Sequence, residues 1–224
     1  MTSNNITILY NKRMGGFNNF DLVYYINLNH RTDRFNHITN EIKKTNIDES
    51  KVHRIEAIYV PDFGALGCSK SHCIALENFI NSPETNQTCV ILEDDFEFTQ
   101  PQDIVNDLID KVFNNDVKDF DVLLLSSNTF QELNTAKFNF VTKIIDAQTT
   151  SGYVVSRKFA PILLKNYKDG CDLLSVSKIK SQHSIDIYMK QLQPNSKWLC
   201  LLPKIGKQMD SYSDIEKCST NYNC

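Results

Sequence analysis

The sequence has no apolar run long enough to cross a bilayer, which takes about 20 consecutive residues. Its first 19 residues contain no apolar core of signal-peptide length, so a cytoplasmic location is the expectation. Positive charge is not in excess either, because 24 basic and 27 acidic side chains give a formal net charge of -3. This balance argues against a protein that binds nucleic acid through a broad basic surface.

Metal and phosphate motifs of fixed spacing are also missing. The seven cysteines are odd in number and include no C-x-x-C pair, so the sequence predicts no zinc cluster. Cys218 and Cys224 flank a polar tail and could pair if oxidised, but free thiols are expected in a reducing compartment. Neither G-x-G-x-x-G nor a P-loop pattern occurs, which weakens the case for a nucleotidyltransferase or another phosphoryl-transfer enzyme.

The order of apolar and amphipathic segments predicts an α/β protein. We expect one domain at residues 21–216, with an N-terminal extension or edge strand at 1–20 and a tail at 217–224. Strands are predicted at 21–29, 51–58, 88–93, 120–127 and 197–203, with two more within 136–156. Helices are predicted after residue 32 and at 69–82, 101–115, 157–168 and 184–193. This alternation favours a central, mostly parallel, mixed sheet flanked by helices.

Three consecutive acids, Glu93, Asp94 and Asp95, directly follow the apolar run 89–92 at the end of the predicted strand 88–93. In open α/β sheets, ligands bind beyond the carboxyl ends of the strands. Carboxylates at such an end suit a hard divalent cation, so the sequence predicts a Mn²⁺ or Mg²⁺ site. The alternative is an acidic turn before the helix near residue 103. We favour the metal site, because an ordinary turn does not require three consecutive acids.

Basic and polar residues near other strand ends suggest further ligand contacts. Arg31 and Arg34 lie one helical turn apart and could bind a phosphate, or they could form a solvated helix face. Residues 61–67 are predicted to be a loop, and Ser69 is a candidate cap of the helix after it. Free amides at that helix start suit an anion. His72, taken alone, is more typical of a packed or surface histidine.

A polar strand segment offers candidate contacts for sugar or acceptor hydroxyls, with a structural strand as the alternative: Gln148, Thr150, Ser151 and Gly152.

Six segments together resemble the family 25 glycosyltransferases. This family includes bacterial lipooligosaccharide galactosyltransferases, collagen hydroxylysine galactosyltransferases and giant-virus relatives. The ordered set is more specific than any one of its parts, and it spans residues 21–216. The segments are YYINLNHRTDR (24–34), GALGCSKSHCIAL (64–76), VILEDDFEF (90–98), TSGYVVSRKFAPILL (150–164), SIDIYM (184–189) and QMDSYSDIE (208–216).

The resemblance implies a GT-A-like fold, a divalent metal (Mn²⁺ or Mg²⁺) and inverting transfer of a hexose, galactose or glucose, from a UDP-sugar. The acceptor would be a hydroxyl of a glycan or protein, and a viral member would work in the host cytoplasm. The resemblance also implies that Asp95 and either Glu93 or Asp94 bind the metal. Residues matching the donor site are Asn27, Leu28, Arg31, Arg34, Ala57 (near the base), Ser71 and His72.

Inversion in a single displacement requires a base on the acceptor hydroxyl, and the resemblance points to Asp186. The alternative is an acid that contacts backbone amides at a helix start after Ser184. Many GT-A enzymes take a late metal ligand, often His, which the C-terminal segment lacks. Candidates for closing over the metal or diphosphate are Gln208, Ser211, Ser213 and Asp214. The late metal ligand could instead be Asp210 or Asp214, which the sequence does not separate, or more distantly His183.

The donor-side motifs are compatible with two functions of different class. One is a metal-dependent glycosyltransferase. The other is a non-catalytic sugar-nucleotide or glycan-binding module of the same fold. Slow metal-dependent hydrolysis of a UDP-sugar would favour the enzyme.

Overall fold

The computed structural model describes residues 15–133, 137–213 and 218–220. The possible edge strand within residues 1–14 lies outside this part of the chain. Also outside the description are five side chains with predicted roles: Ser211, Ser213, Asp214, Cys218 and Cys224.

The described residues form twelve strands and six α-helices, which alternate along most of the chain. The strands are β1 (Leu22–Asn27), β2 (Val52–Glu56), β3 (Thr88–Glu93), β4 (Phe96–Phe98), β5 (Val122–Leu124), β6 (Asn128–Leu133), β7 (Val141–Gln148), β8 (Gly152–Ser156), β9 (Trp198–Leu201), β10 (Gly206–Gln208), β11 (Ser211–Ser213) and β12 (Cys218–Thr220). The helices are α1 (Thr32–Lys44), α2 (Gly64–Asn81), α3 (Gln102–Phe113), α4 (Ala160–Ser177), α5 (Lys180–His183) and α6 (Ile185–Tyr188).

Eight strands form one mixed sheet in the order β2-β1-β3-β8-β5-β9-β7-β6. Six of these strands run in one direction, and β7 and β8 run in the other. Helices α2 and α4 cover one face, and α1 and α3 cover the other. The predicted α/β class, with a central mixed sheet flanked by helices, is confirmed. None of the helices in the described residues combines the length and apolar composition needed to cross a bilayer.

Several predicted boundaries were wrong. Helix α2 begins at Gly64 rather than at residue 69, so most of the predicted loop is helical. Ser69 is therefore not the cap, and its hydroxyl donates to the carbonyl of Ala65 inside the helix. Gly67 permits this packing, because a Cβ there would lie 2.4 Å from the carbonyl oxygen of Ile58. The helix predicted at 184–193 is instead α6 followed by a 3₁₀ segment, Met189–Asn195.

Gly152 has a packing role at the start of β8. A Cβ at this position would lie 2.4 Å from Cε2 and 2.5 Å from Cδ2 of Phe96, a ring that is fully buried. The carbonyl of Gly152 accepts hydrogen bonds from the amides of Leu125 and Ser126. The carbonyl of Gly152 therefore links β8 to the end of β5. The Cα of Gly152 faces the ring of Phe96 so closely that a side chain larger than hydrogen does not fit.

We predict that Gly152→Ala lowers the free energy of unfolding by about 1–3 kcal/mol, the usual cost of overpacking a core. Urea unfolding followed by circular dichroism measures the change. In a Phe96→Leu background the same substitution should cost less, since the ring that the new methyl group meets is absent. Equal losses in the two backgrounds would show that Phe96 is not the obstacle.

Candidate active site

The candidate site lies at one edge of the sheet, where β1 and β3 end. These strands are adjacent and parallel, with Ile26 in register with Glu93, so the residues that follow both strands emerge side by side. Two pockets open there. Such an edge is where ligands bind in open α/β sheets.

The first pocket is walled by the end of β1, the segment after β2 and one side of α2. Its apolar lining comes mostly from Leu28 and residues 57–60, and its charged lining comes from Arg34 and the acidic triplet. Its lining includes Leu28, Arg34, Ala57, Ile58, Tyr59, Val60, Cys68, Ser71, His72, Glu93, Asp94, Asp95 and Gln208.

The second pocket is more polar and lies between α2, the segment before β8 and the α5–α6 region. Its lining includes Asn128, Gln148, Thr150, Lys180, Ser181, Ser184 and Asp186. Cys68, Glu93 and Gln208 line both pockets. The two pockets therefore meet at these three side chains, with the aspartate pair on the first side and Asp186 on the second.

Asp94 and Asp95 share one cationic partner, Arg34. Its Nη1 lies 3.0 Å from Oδ1 of Asp94 and 2.9 Å from Oδ2 of Asp95. Asn27 donates from Nδ2 to Oδ2 of Asp94 at 2.7 Å, and Gln208 donates from Nε2 to Oδ2 of Asp95 at 3.0 Å. Two carboxylates thus converge on a single guanidinium.

Asp95 retains one unsatisfied oxygen in this arrangement. Its Oδ1 is buried and has no hydrogen-bond partner among the described residues. Burial, together with the neighbouring charges of Glu93 and Asp94, raises the pKa of Asp95 to about 7, although Arg34 acts in the opposite direction. A buried, unpaired carboxylate oxygen beside a second carboxylate is a donor set that fits a hard divalent cation.

Glu93 turns to a different set of partners. Its Oε1 accepts a hydrogen bond of 2.6 Å from the hydroxyl of Thr150 and lies 3.3 Å from Nε2 of the buried His72. Burial acts to raise the pKa of Glu93, but the contacts with His72 and Thr150 outweigh it and the pKa is lowered. Sγ of Cys68, Nε2 of His72 and a carboxylate oxygen of Glu93 lie within 4.8 Å of one another.

Asp186 lies in the first turn of α6, with its side chain in the second pocket. Burial and, next, the negative charge of Glu93 raise its pKa, while contacts with the backbone amides of Asp186 and Ile187 lower it. The structure is thus compatible with both sequence interpretations of Asp186, the helix-start acid and the base. The carboxylate contacts backbone amides, as a helix-start acid would, and it also faces a polar pocket, as a base would.

The other predicted donor-site residues divide into pocket-lining and supporting positions. Leu28, Ala57, Ser71 and His72 line the first pocket, and Gln148 lines the second. Asn27 is buried and acts on Asp94 through its amide. Arg31 pairs with Asp33 instead of lining either pocket.

Two predicted hydroxyl-binding positions, Ser151 and Gly152, lie in the core. The hydroxyl of Ser151 is 2.6 Å from that of Ser126, and both serines are buried. Gly152 is packed under Phe96, so neither residue lines a pocket. Neither residue is therefore expected to contact a sugar or acceptor hydroxyl.

Sequence reasoning did not identify Cys68 as a site residue. The signal that could have found it is the spacing Cys68-x-x-x-His72, which places a thiol and an imidazole on one face of a helix. His183, a distant candidate for a late metal ligand, instead lies 2.7 Å through Nδ1 from the hydroxyl of Ser177.

Comparison with known proteins shows the fold. No protein-family model matches the sequence, and no curated protein matches it. The chain is similar to the crystal structure of a glycosyltransferase involved in the glycosylation of the major capsid of PBCV-1, with a TM-score of 0.52 and 9% identity. That similarity covers 88% of this chain and 95% of the solved one.

A second solved structure is a protein described as a glucose-1-phosphate thymidylyltransferase from Bacillus anthracis. Its TM-score is 0.36 at 10% identity, over 79% of this chain and 65% of that one, which is too distant to carry an argument. The first similarity, together with the mixed sheet, confirms the predicted GT-A-like fold. Membership of family 25 stays a prediction.

We predict that Asp95→Asn stabilises the metal-free protein at about pH 8. A carboxyl that holds its proton up to about pH 7 when folded, but only to its ordinary value of 3.8 when unfolded, makes unfolding easier as the pH rises through this window. Asparagine does not titrate, so the variant keeps the free energy of unfolding that the wild type loses as the pH rises. In a chain of this size, each kcal/mol of unfolding free energy raises Tm by about 2–4 °C.

Thermal unfolding in EDTA at several pH values measures this effect. The exposed Asp107→Asn is the control, since it removes an equal charge on a surface helix. A lower Tm for Asp95→Asn at the high-pH end would contradict the prediction and show that the ion pair with Arg34 dominates.

Proposed function

We propose that this chain is a metal-dependent glycosyltransferase. It transfers a hexose, galactose or glucose, with inversion from a UDP-sugar to a hydroxyl of a glycan or protein acceptor. The observation that carries the proposal is the pair of pockets that meet at Cys68, Glu93 and Gln208. Transfer between two substrates requires adjoining sites, and here a cation-binding donor set lies on one side and a carboxylate on the other.

The first pocket is the donor site in this proposal. Its apolar wall, from Leu28 and residues 57–60, suits a nucleobase and ribose. Asp95 and Asp94 hold the divalent cation, because Asp95 Oδ1 has no other partner among the described residues and the carboxylate of Asp94 lies beside it. When bound, the cation offsets negative charge on the departing diphosphate. Arg34 supplies a guanidinium in the same pocket for phosphate oxygens.

The second pocket is the acceptor site. Its polar lining, including Gln148 and Thr150, suits sugar hydroxyls. Asp186 is the proposed base, and it takes the proton from the acceptor hydroxyl as that oxygen attacks the anomeric carbon. The raised pKa supports this role, because a stronger base accepts a hydroxyl proton more readily. A few contacts with hydroxyl groups decide which acceptor is used, and a screen of candidate acceptors would identify it.

We predict that UDP binds the wild-type protein in a Mn²⁺-dependent manner and that Asp95→Ala removes this dependence. Loss of the cation should weaken UDP binding by at least about tenfold, or ~1.4 kcal/mol. Calorimetry with UDP, with and without Mn²⁺, measures the effect. The exposed Asp107→Ala removes the same charge away from the pockets and should behave as wild type. Metal-independent UDP binding by the wild type would remove support for the donor site.

We predict that Asp186→Asn spares Mn²⁺-dependent UDP binding but lowers transfer by about 10²–10⁴-fold, the usual contribution of a positioned base. Asparagine keeps the shape of the side chain but cannot take a proton. A panel of UDP-sugars, assayed for Mn²⁺-dependent hydrolysis and then for transfer to candidate acceptors, identifies the reaction to measure. The exposed Asp172→Asn serves as the matched control. Undiminished transfer by Asp186→Asn would eliminate this base.

The hydrolysis panel also separates the enzyme from a non-catalytic sugar-nucleotide or glycan-binding module. A binding module would hold UDP in a Mn²⁺-dependent manner but hydrolyse no donor. An enzyme releases UDP slowly even when water is the acceptor.

A further inference from the structure

We infer that Cys68, His72 and Glu93 form a second metal site, one that selects Zn²⁺ over the hard cation proposed for the aspartate pair. The three side chains reach one point from two elements. Cys68 and His72 lie one turn apart on α2, and Glu93 ends β3. Their ligand atoms lie within 4.8 Å of one another. This site does not depend on the proposed transfer reaction.

The spacing of these atoms matches a tetrahedral site after a small adjustment. Zinc bonds of about 2.0–2.3 Å place neighbouring tetrahedral ligand atoms roughly 3.3–3.7 Å apart. Nε2 of His72 and Oε1 of Glu93 are already 3.3 Å apart. Only the thiol of Cys68, which is half-buried at the junction of the two pockets, has to approach.

The hydroxyl of Tyr153 sets the orientation of His72. It lies 3.0 Å from Nδ1 of the imidazole, and this contact holds the ring with Nε2 toward Glu93. In the tautomer that carries its hydrogen on Nδ1, Nε2 of His72 offers its lone pair to a metal ion beside Glu93.

A cation between His72 and Glu93 would contact both groups at once. Nε2 of His72 and Oε1 of Glu93 are 3.3 Å apart, and both atoms can bind a metal ion. Asp95 and Asp186 add further negative charge around Cys68. Thr150 already orients Glu93, and Tyr153 orients His72, which are the supporting hydrogen bonds that metal ligands typically have.

The ligand chemistry selects the metal. Thiolate and imidazole favour Zn²⁺, whereas carboxylates alone suit Mn²⁺ and Mg²⁺. Three protein ligands leave a fourth zinc position open, at the side chains that both pockets share. The absence of C-x-x-C spacing in the sequence does not exclude such a site, because its third ligand comes from a strand.

Cobalt substitution tests the site without any activity measurement. We predict that Co²⁺ added to the metal-free wild type produces a thiolate-to-cobalt charge-transfer band, and that one equivalent of Zn²⁺ displaces it. Cys68→Ser should abolish the band, while Cys200→Ser, which changes another buried thiol, should retain it. Asp95→Asn should also retain the band, because it removes a ligand of the other site only.

Competition with a chromophoric chelator then measures Zn²⁺ affinity in wild type and in Glu93→Gln. This variant preserves the side-chain shape and should bind Zn²⁺ at least about tenfold more weakly. No charge-transfer band in the wild type, or a band that persists in Cys68→Ser, would overturn the inference. Cobalt and zinc binding are measured without UDP or a donor sugar, so the zinc site and the proposed donor site can fail independently.

Discussion

An excess of negative charge where β3 ends is the constraint on which the rest of the site depends. Glu93, Asp94 and Asp95 are consecutive, and the charge of Glu93 is felt at Asp186 across the cleft. Two unit charges about 4 Å apart interact by roughly 4 kcal/mol at the effective dielectric of a protein surface. Among the described residues, the aspartate pair shares a single guanidinium, that of Arg34. The neighbouring polar groups lessen this repulsion but do not remove it, which is typical of a site shaped for a ligand rather than for stability.

The fold assembles this site from segments that are far apart in the chain. Parallel pairing of β1 with β3 brings Asn27 beside the acidic triplet. Antiparallel pairing of β8 with β3 continues past the strand, where the amide of Glu93 donates to the carbonyl of Ser151, and so places Thr150 at the end of β3. The β4–β10 pair delivers Gln208 to Asp95. Asn27, Thr150 and Gln208 therefore arrive through backbone pairing, whereas the two other partners, Arg34 and His72, come from helices α1 and α2.

Sequence reasoning could predict the elements of this site more readily than their contacts. Alternating strand and helix patterns predict the α/β class, and three acids after an apolar strand predict a site at that strand end. Local periodicity does not determine the order in which strands pair. For example, nothing in the segment GYVVS indicates that β8 runs antiparallel between β3 and β5. Similarly, Gly67 looks like a loop residue, and only the carbonyl of Ile58 explains it as a contact point inside a helix. Ser151 is polar in sequence yet buried, since its partner Ser126 comes from another part of the chain.

The acidic triplet is contiguous in sequence but divided in space, and this division decides its chemistry. Successive residues leaving a strand point in different directions, so Asp94 and Asp95 meet Arg34 while Glu93 turns to His72 and Thr150. An all-carboxylate pair attracts a hard cation, whereas a carboxylate beside imidazole and thiol attracts a softer one. Because the charges are close enough to shift each other's pKa, a cation bound at one proposed position would change the affinity of the other. On the two proposals above, the triplet would serve two coupled cation sites at the meeting point of two pockets.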